Sequence, residues 1–195
     1  TAVGTVIASD QDLDTLTYAI TGGNTGSAFA IDSGTGAITV AGALDHETLA
    51  SYVLTVTVTD DGVGTLSDSA SITINVGDVN EAPVANDGSG SVDENSANGT
   101  SVTTVVASDV DAGQTLSYAI TAGNADGKFA INTATGEITV AGALDFETLN
   151  SYALTVTVTD DGAGLLSDTA LITISVTDAN DAPVANDGSG NVDEN

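Results

Sequence analysis

Carboxylate side chains fall into short motifs in this sequence rather than being spread evenly along it. Asp109 and Asp111 form an Asp-x-Asp pair, and Asp145 and Glu147 form an Asp-x-Glu pair. Further oxygen-bearing side chains are Glu94, Asp160, Asp178, Asn180 and Asp181. The same motifs occur a second time as Asp10, Asp12, Asp45, Glu47, Asp60, Asp78, Asn80, Glu81 and Glu194. On an extended segment, two residues separated by one other point to the same side, so each pair would present two carboxylates together.

A divalent cation is the chemistry that suits these motifs best. Several carboxylate pairs that converge at one end of a domain are costly unless a cation lies among them. Calcium takes six to eight oxygen ligands from carboxylates, amides and backbone carbonyls. Zinc and copper are disfavoured, because the chain has no cysteine and a single histidine. The sequence therefore predicts that Ca²⁺ binds at these motifs.

The overall charge excludes several classes of partner. Lys128 is the one basic residue beside 28 acidic ones, which gives a net charge of −27. Nucleic acid is excluded, because its phosphates need Lys and Arg to neutralise them, and an anionic membrane surface is disfavoured for the same reason. No apolar run is long enough to span a bilayer, so membrane insertion is not expected. The absence of cysteine excludes a disulfide framework, and a bound metal is the usual substitute in a secreted protein.

The sequence repeats with a spacing of 100 residues. Tyr18 recurs as Tyr118, and Asp60 recurs as Asp160. Residues 182–195 also repeat the start of the second copy, and the first five residues, TAVGT, match the segment SANGT (96–100) that comes after that start. We therefore expect residues 1–81 to be a repeat that lacks its opening strand, 82–181 to be a complete repeat, and 182–195 to be the opening strand of the next. Neighbouring copies of the unit are the expected partners, arranged head-to-tail.

Each repeat is predicted to contain about seven short strands. Apolar residues at 152, 154, 156 and 158 alternate with Ala or Thr, which is typical of a strand with one buried face. Other strands are expected near 88–93, 101–107, 116–121, 128–131, 137–140 and 172–177. The fold class is all-β, with tandem Greek-key seven-stranded β-sandwiches in a linear rod. The expected core residues are Phe129, Ile131, Ile138, Leu144, Tyr152 and Leu154.

Residues 92–183 resemble a cadherin repeat nearly from end to end. The matching segments are VDEN (92–95), ASDVD (107–111), LSYAI (116–120), FAINTATGEITV (129–140), LDFE (144–147), YALTVTVTD (152–160) and DANDAP (178–183). Each motif alone is a weak signal, but all occur in the order and spacing of the family, and they occur twice. The Ala- and Thr-rich style resembles the cadherin-like tandem repeats of large bacterial adhesins.

The resemblance implies calcium at the junctions between repeats, in an extracellular protein at the cell surface. For the junction inside this chain it implies the ligands Asp45, Glu47, Asp78, Asn80, Glu81, Asp109, Asp111 and Asp160, with Glu194 from a neighbouring unit. For the second junction it implies Glu94, Asp145, Glu147, Asp178, Asn180 and Asp181, followed by Asp10, Asp12 and Asp60 of the next unit. Glu81 departs from the family, which has Asp there, and the Asn that follows the Asp-x-Asp motif in the family has no clear counterpart.

Other interpretations compete with calcium binding. The acidic residues could form a solvated anionic surface, and this is favoured for those that match no ligand position: Asp61, Asp68, Asp87, Asp161, Asp168 and Asp187. His46 is expected to be a loop residue near the ligand pair rather than a ligand. Catalysis by paired carboxylates is not expected, because no nucleophile or pocket-forming aromatic cluster accompanies them.

Two functions from different classes remain. The first is a structural and adhesive role, in which calcium stiffens a rod or filament. The second is a binding module for a polysaccharide or for a partner cadherin-like repeat. Sugar binding usually needs exposed aromatic side chains, and all aromatic residues except Phe146 occupy positions that face the core in the family. The structural role is therefore the favoured prediction.

Overall fold

The structure is a computed structural model that describes residues 1–192. The chain forms two compact units, Thr1–Val79 and Asn80–Asn195, which we call unit 1 and unit 2. Both consist of short strands, antiparallel except for one parallel pair in unit 2, built from the alternating Val, Ile, Leu and Thr segments of the sequence. The all-β class expected from the sequence is confirmed.

Unit 1 contains six strands in two three-stranded sheets. The strands are β1 (Ala2–Thr5), β2 (Thr17–Gly22), β3 (Phe29–Ile31), β4 (Ala37–Val40), β5 (Ser51–Thr59) and β6 (Ser67–Asn75), with a 3-10 turn at Thr25–Ser27. The sheet orders are β1-β4-β3 and β2-β5-β6. The facing sides of the two sheets enclose a core centred on Phe29, Ile38, Leu54 and Val56. Unit 1 is therefore a small β-sandwich.

Unit 2 has the same plan with additional strands. They are β7 (Val84–Ala85), β8 (Gly88–Asp93), β9 (Ser101–Thr104), β10 (Ala107–Ser108), β11 (Ser117–Ala122), β12 (Phe129–Ile131), β13 (Glu137–Val140), β14 (Ser151–Thr159) and β15 (Ser167–Thr177). A four-stranded sheet, β11-β14-β15-β8, faces a three-stranded sheet, β12-β13-β9, while β7 pairs with β10. The strand β8 runs parallel to β15, with Ile172 opposite Gly88 and Val176 opposite Val92.

The core of unit 2 explains why its strands alternate. In β14 the apolar residues are buried, and Leu154, Val156 and Val158 have 0% of their surface exposed, whereas the intervening Ala and Thr residues face away. The rings of Phe129 and Tyr152 meet edge to face, with centroids 5.0 Å apart. Five of the six expected core residues are buried, and Ile131 is partly buried against the same cluster.

One predicted strand differs in the structure. The segment 101–107 is divided, because its first part, β9, pairs with β13 and its second part, β10, pairs with β7. At the break, the N–H of Val105 donates to the carbonyl of Gly136, and the carbonyl of Val106 accepts from Asn86 N–H. The segment changes partner there, which a pattern of alternating residues cannot indicate.

Candidate metal centres

The Asp-x-Asp motif of unit 2 is connected, through Glu81 and Asn80, to Asp160 at the end of β14. Oδ1 of Asp109 accepts a hydrogen bond from the backbone N–H of Asp111 over 2.9 Å. Oδ2 of Asp111 accepts from the backbone N–H of Glu81 over 2.9 Å. Asn80 continues the network, because its amide donates to Oδ2 of Asp160 over 3.1 Å. The network thus joins five predicted ligand residues of unit 2: Asn80, Glu81, Asp109, Asp111 and Asp160. We call this cluster the first acidic centre.

The first acidic centre holds oxygen atoms that lack a partner. Asp111 and Asp160 are only 6% and 3% exposed. In the described part of the chain, Oδ2 of Asp109, Oδ1 of Asp111 and Oε1 of Gln114 are buried and make no hydrogen bond. A buried oxygen without a donor is costly, and three such oxygens together favour a bound cation. Hard carboxylate and amide oxygens are the ligands that Ca²⁺ prefers, so these residues fit that ion.

Gln114 is a member of this centre that the sequence analysis missed. Its side-chain N–H donates to Oδ1 of Asn80, and this bond leaves Oε1 as one of the unpartnered oxygens. The cadherin pattern has an Asn shortly after the Asp-x-Asp pair, and Gln114 carries the same amide chemistry one carbon farther along. An amide residue a few positions after the motif was the signal that could have identified it.

A second acidic centre lies at the other end of the ladder formed by β14 and β15. It contains Glu94, Glu147 and Asp178, whose ligand atoms lie within 4.8 Å of one another. Glu94 is 3% exposed, and its two carboxylate oxygens accept backbone N–H bonds from Phe146 and Ala179, each over 2.8 Å. The backbone therefore fixes Glu94, while Glu147 and Asp178 remain exposed beside it.

Three other predicted ligands near the second acidic centre lie outside this cluster. Asp145 accepts a bond from Thr148 N–H over 2.8 Å. Asp181 accepts a bond from the amide of Asn95 over 2.9 Å, and the amide of Asn180 lies 3.4 Å from the carbonyl oxygen of Asp181. The carbonyl of Asp145 also accepts from Leu149 N–H, so the Asp-x-Glu motif forms a turn. The expectation that this pair lies on an extended segment is wrong, because the Asp side chain caps the turn instead.

Unit 1 brings Asp10 and Asp12 together with Asp14. Their ligand atoms lie within 4.8 Å of one another, and Oδ1 of Asp10 accepts backbone N–H bonds from Asp12 and Asp14. Asp14 is a second candidate that the sequence analysis missed, although Asp-x-Asp-x-Asp is visible in the sequence. Loss of hydration raises the pKa of Asp14, and the negative charges of Asp10, Asp61 and Asp60 add to this effect. Crowded carboxylates of this kind favour a bound cation.

Asp60 repeats the local structure of Asp160. Its Oδ1 accepts N–H bonds from Gly62 and Leu66 over 3.1 and 3.0 Å. Asp160 does the same with Gly162 and Leu166 over 3.0 and 3.1 Å. One carboxylate oxygen of each residue therefore closes a loop.

The remaining predicted ligands of unit 1 gather around His46. Its Nδ1 lies 3.0 Å from Oε1 of Glu47 and 3.7 Å from Oδ1 of Asp78. Asp45 accepts bonds from the backbone N–H and the hydroxyl of Thr48, and these two bonds lower its pKa. Asp45 and Glu47 also lie in a turn rather than on an extended segment, as in unit 2. Glu194, the last predicted ligand, lies outside the described residues.

Phe146 is more buried than the sequence analysis expected. It is partly buried and packs against the core of unit 2, and its backbone N–H holds Glu94. The aromatic residue considered for contact with a sugar therefore supports the second acidic centre instead.

Comparisons with known proteins agree with this architecture. The cadherin domain family model matches residues 1–77 and 88–177. The chain is 37% identical to human Protocadherin Fat 1 over 98% of its own length and 4% of that protein. It is 42% identical to the Drosophila melanogaster protocadherin-like wing polarity protein stan, over 93% of the chain and 5% of that protein. The chain thus spans a small part of the relatives it matches.

Solved structures of protocadherin domains also align with this chain. Domains EC1-2 of human Protocadherin-24 align with a TM-score of 0.76 and 29% identity, over 90% of this chain and 88% of that one. The cis-dimer structure of protocadherin gammaB7 EC3-6 aligns with a TM-score of 0.69 and 31% identity, over 87% of this chain and 42% of that one.

These relatives bear on two expectations from the sequence. The named relatives are animal proteins, so they give no support to the expected likeness to bacterial adhesins, and nothing in them supports a polysaccharide ligand.

None of the helices described in the structure is long and apolar enough to cross a bilayer. The extracellular, cell-surface location is confirmed by the relatives. The chain belongs to the cadherin domain family, a family of adhesion proteins, and consists of tandem extracellular β-sandwich repeats.

Proposed function

We propose that this chain is a calcium-binding, non-enzymatic segment of an adhesive multi-repeat protein, in which bound Ca²⁺ limits the motion between successive repeats. The observation that supports this most strongly is the set of three buried, unpartnered oxygens of Asp109, Asp111 and Gln114. A cation would supply the partner that each of these oxygens lacks. Affinity is expected on the order of 10⁻⁴ to 10⁻³ M, as in extracellular calcium modules.

The proposed ligands of unit 2 form two groups. The first acidic centre would use Asn80, Glu81, Asp109, Asp111 and Asp160, together with Gln114. The second would use Glu94, Glu147 and Asp178, with Asp145, Asn180 and Asp181 close to them in the sequence or by hydrogen bonds. Backbone N–H groups already orient Glu94 and Asp111. These side chains would therefore lose less conformational entropy when Ca²⁺ binds.

Unit 1 would contribute a similar set of calcium ligands. Asp10, Asp12, Asp14 and Asp60 are the proposed ligands that correspond to the first acidic centre, while Asp45, Glu47 and Asp78 correspond to the second. Glu194 of a neighbouring copy would complete that set. Domain limits of 1–81, 82–181 and 182–195 are part of the same proposal, since they assign each opening strand to the repeat that it completes.

The proposed role of calcium is to hold the connection between repeats rather than to fold them. Each unit has its own apolar core, with Leu54 and Leu154 fully buried, whereas residues 76–81 form no regular structure among the residues described. The proposed partners are other cadherin repeats. This rests on the family, and on the cis-dimer described for protocadherin gammaB7.

Small-angle scattering with and without a chelator tests this role. We expect the chelator to broaden the distribution of inter-repeat angles, while circular dichroism records unchanged strand content. If strand content collapsed together with the scattering change, calcium would be folding the units themselves. If neither signal changed, the proposed role would be wrong.

A further inference from the structure

Unit 2 contains an acceptor sequence for N-linked sugars in the connection between β8 and β9. Asn98, Gly99 and Thr100 form the pattern Asn-x-Thr, and no other Asn in the sequence is followed two residues later by Ser or Thr. In this pattern the Asn amide accepts the sugar, and the hydroxyl residue is part of what the transferase recognises. The pattern is short, so its place in the fold decides whether a sugar can be carried there.

Residues 97–100 form a tight turn on the surface. The carbonyl of Ala97 accepts from the backbone N–H of Thr100 over 3.1 Å, which closes a β-turn. Gly99 is the third residue of this turn and has a φ of 88°, the positive value that a type II turn needs at that position. Asn98, Gly99 and Thr100 are all exposed. The acceptor pattern therefore lies on a surface loop, as glycosylation requires.

The end of β13 holds this turn in place. The N–H of Gly99 donates to the carbonyl of Val140 over 2.7 Å, and the N–H of Val140 donates to the carbonyl of Thr100 over 2.9 Å. Val140 is 1% exposed and belongs to the core of unit 2. The turn is thus fixed by backbone bonds, while Asn98 lies outside the core.

The side chain of Asn98 has no structural task in the described part of the chain, where it makes no hydrogen bond. Other Asn side chains differ in this respect. The amide of Asn95 donates to Asp181 over 2.9 Å, and the side chain of Asn124 exchanges two hydrogen bonds with the backbone of Phe129. A group attached to Nδ2 of Asn98 therefore displaces no contact that the fold uses.

The surface beside Asn98 is also open. A Cβ added to Gly99 would meet no heavy atom within 4 Å. The hydroxyl of Thr100 donates to the carbonyl of Ala97 over 2.7 Å and closes the turn a second time. A bulky, hydrated sugar has room here without a change in the backbone.

We propose that Asn98 is an N-glycosylation site of the secreted protein. The donor is an oligosaccharide joined to a lipid through a diphosphate. Nδ2 of Asn98 bonds to C1 of the first sugar, the bond from C1 to the diphosphate oxygen breaks, and the lipid diphosphate leaves with the electron pair. Nδ2 gives one of its two protons to a basic group of the transferase and keeps the other. The product is an N-linked glycan on a surface turn.

This proposal rests on the extracellular location and not on calcium. The cadherin domain family model covers Asn98, and the named relatives are animal cell-surface proteins, which pass through a secretory pathway that holds such a transferase. Asn98 is not among the proposed calcium ligands. Failure of one proposal therefore leaves the other standing.

Secretion of the full chain from cultured animal cells, behind a leader peptide, tests the proposal. Asn98→Gln removes the acceptor, and Thr100→Val removes the hydroxyl but keeps a similar shape. Thr100→Ser keeps the hydroxyl, and Asn95→Gln is the control, because it changes a nearby Asn and leaves the acceptor pattern intact. Mass spectrometry of the intact chain measures the sugar. Peptide mapping after N-glycosidase digestion in heavy-oxygen water locates it.

We expect a glycan on most of the wild-type, Thr100→Ser and Asn95→Gln chains, and its loss in Asn98→Gln and Thr100→Val. Circular dichroism should record the same strand content with and without the glycan, because the turn lies outside the core. Where a variant is poorly secreted, the wild-type peptide that contains Asn98 still gives the answer directly. Asn98 unmodified in most of the wild-type chain, or an equal amount of glycan on Asn98→Gln, would overturn the proposal.

Discussion

Asn80 lies directly over Gly162 in unit 2. A Cβ added to Gly162 would be 1.7 Å from Oδ1 of Asn80, far below any real contact distance. Asn80 in turn donates to Asp160, and Gln114 donates to Asn80. The absence of a side chain at Gly162 therefore allows the amide network of the first acidic centre to form.

Gly162→Ala should weaken calcium binding at this centre without unfolding unit 2. The new methyl group must displace Asn80, which separates it from Asp160 and Gln114, while the core built from β14 and β15 is untouched. We expect calcium affinity at this centre to fall about tenfold, in line with the effect of disturbing groups that orient metal ligands. Calcium titration and thermal unfolding in chelator measure the two effects separately.

Gly34→Ala is the control for this prediction. A Cβ there would lie 3.7 Å from Oδ1 of Asp32, an ordinary contact. Calcium affinity equal to wild type in Gly162→Ala would contradict the role given to Asn80.

Glu94→Ala should destabilise unit 2 even without calcium. Glu94 is 3% exposed and accepts N–H bonds from Phe146 and Ala179. Removing the carboxylate leaves both donors without their partner, at a cost of about 1–3 kcal/mol each if they stay buried. Chemical denaturation in chelator measures this loss in the free energy of unfolding.

Glu94→Gln separates the two roles of this residue. The amide keeps one oxygen acceptor, so the loss of stability in chelator should be smaller than for Ala, while the negative charge that calcium needs is lost. Asp126→Ala, at an exposed acidic position outside the acidic centres, should resemble wild type. Equal stability of wild type and Glu94→Ala in chelator would disprove the structural role.

The sequence was sufficient for most of the strands, because alternation is a local signal, whereas the role of the acidic residues as ligands stays a prediction. The alternation in β14 follows from its contact with one core, and the Asp and Glu positions follow a family pattern. The amide of Gln114, a few positions after the Asp-x-Asp motif, was a usable signal, but its contact with Asn80, 34 residues away, could not be predicted. The turn at Asp145 was missed since an Asp side chain that caps its own turn looks the same in the sequence as one on a strand.

Asp168 should make stability depend on pH in the acid range. Hydrogen bonds from the backbone N–H groups of Ala85 and Thr169 lower its pKa in the folded chain. A lowered pKa adds stability above the ordinary Asp pKa of about 3.9, and this stability is lost as the pH falls through the folded value. The denaturation midpoint of Asp168→Asn should therefore lie below that of wild type at neutral pH, and the difference should vanish in strong acid.

If the denaturation midpoints of wild type and Asp168→Asn differed by the same amount at every pH, the negative charge of Asp168 would not be the cause of the difference. Asp126→Asn provides the comparison, because this exposed residue lies in the same unit.

Amide hydrogen exchange should distinguish β6 from β15. The two strands have similar sequences, but β15 is paired on both sides, with β14 and β8, whereas β6 is paired with β5 alone in the described structure. We expect faster exchange in β6, measured by mass spectrometry on dilute protein, because an edge strand opens more easily. Equal protection of the two strands in dilute protein would contradict the open edge.

Calcium titration by calorimetry tests the central claim most directly. The titration compares wild type with Asp111→Asn and Asp126→Asn in chelator-treated buffer at physiological ionic strength. We predict saturable binding by wild type and Asp126→Asn, and at least a tenfold weaker affinity at one class of sites in Asp111→Asn, since Asp111 holds an unpartnered buried oxygen. Absence of calcium uptake by wild type, or identical curves for all three chains, would contradict the assignment of these acidic centres to calcium.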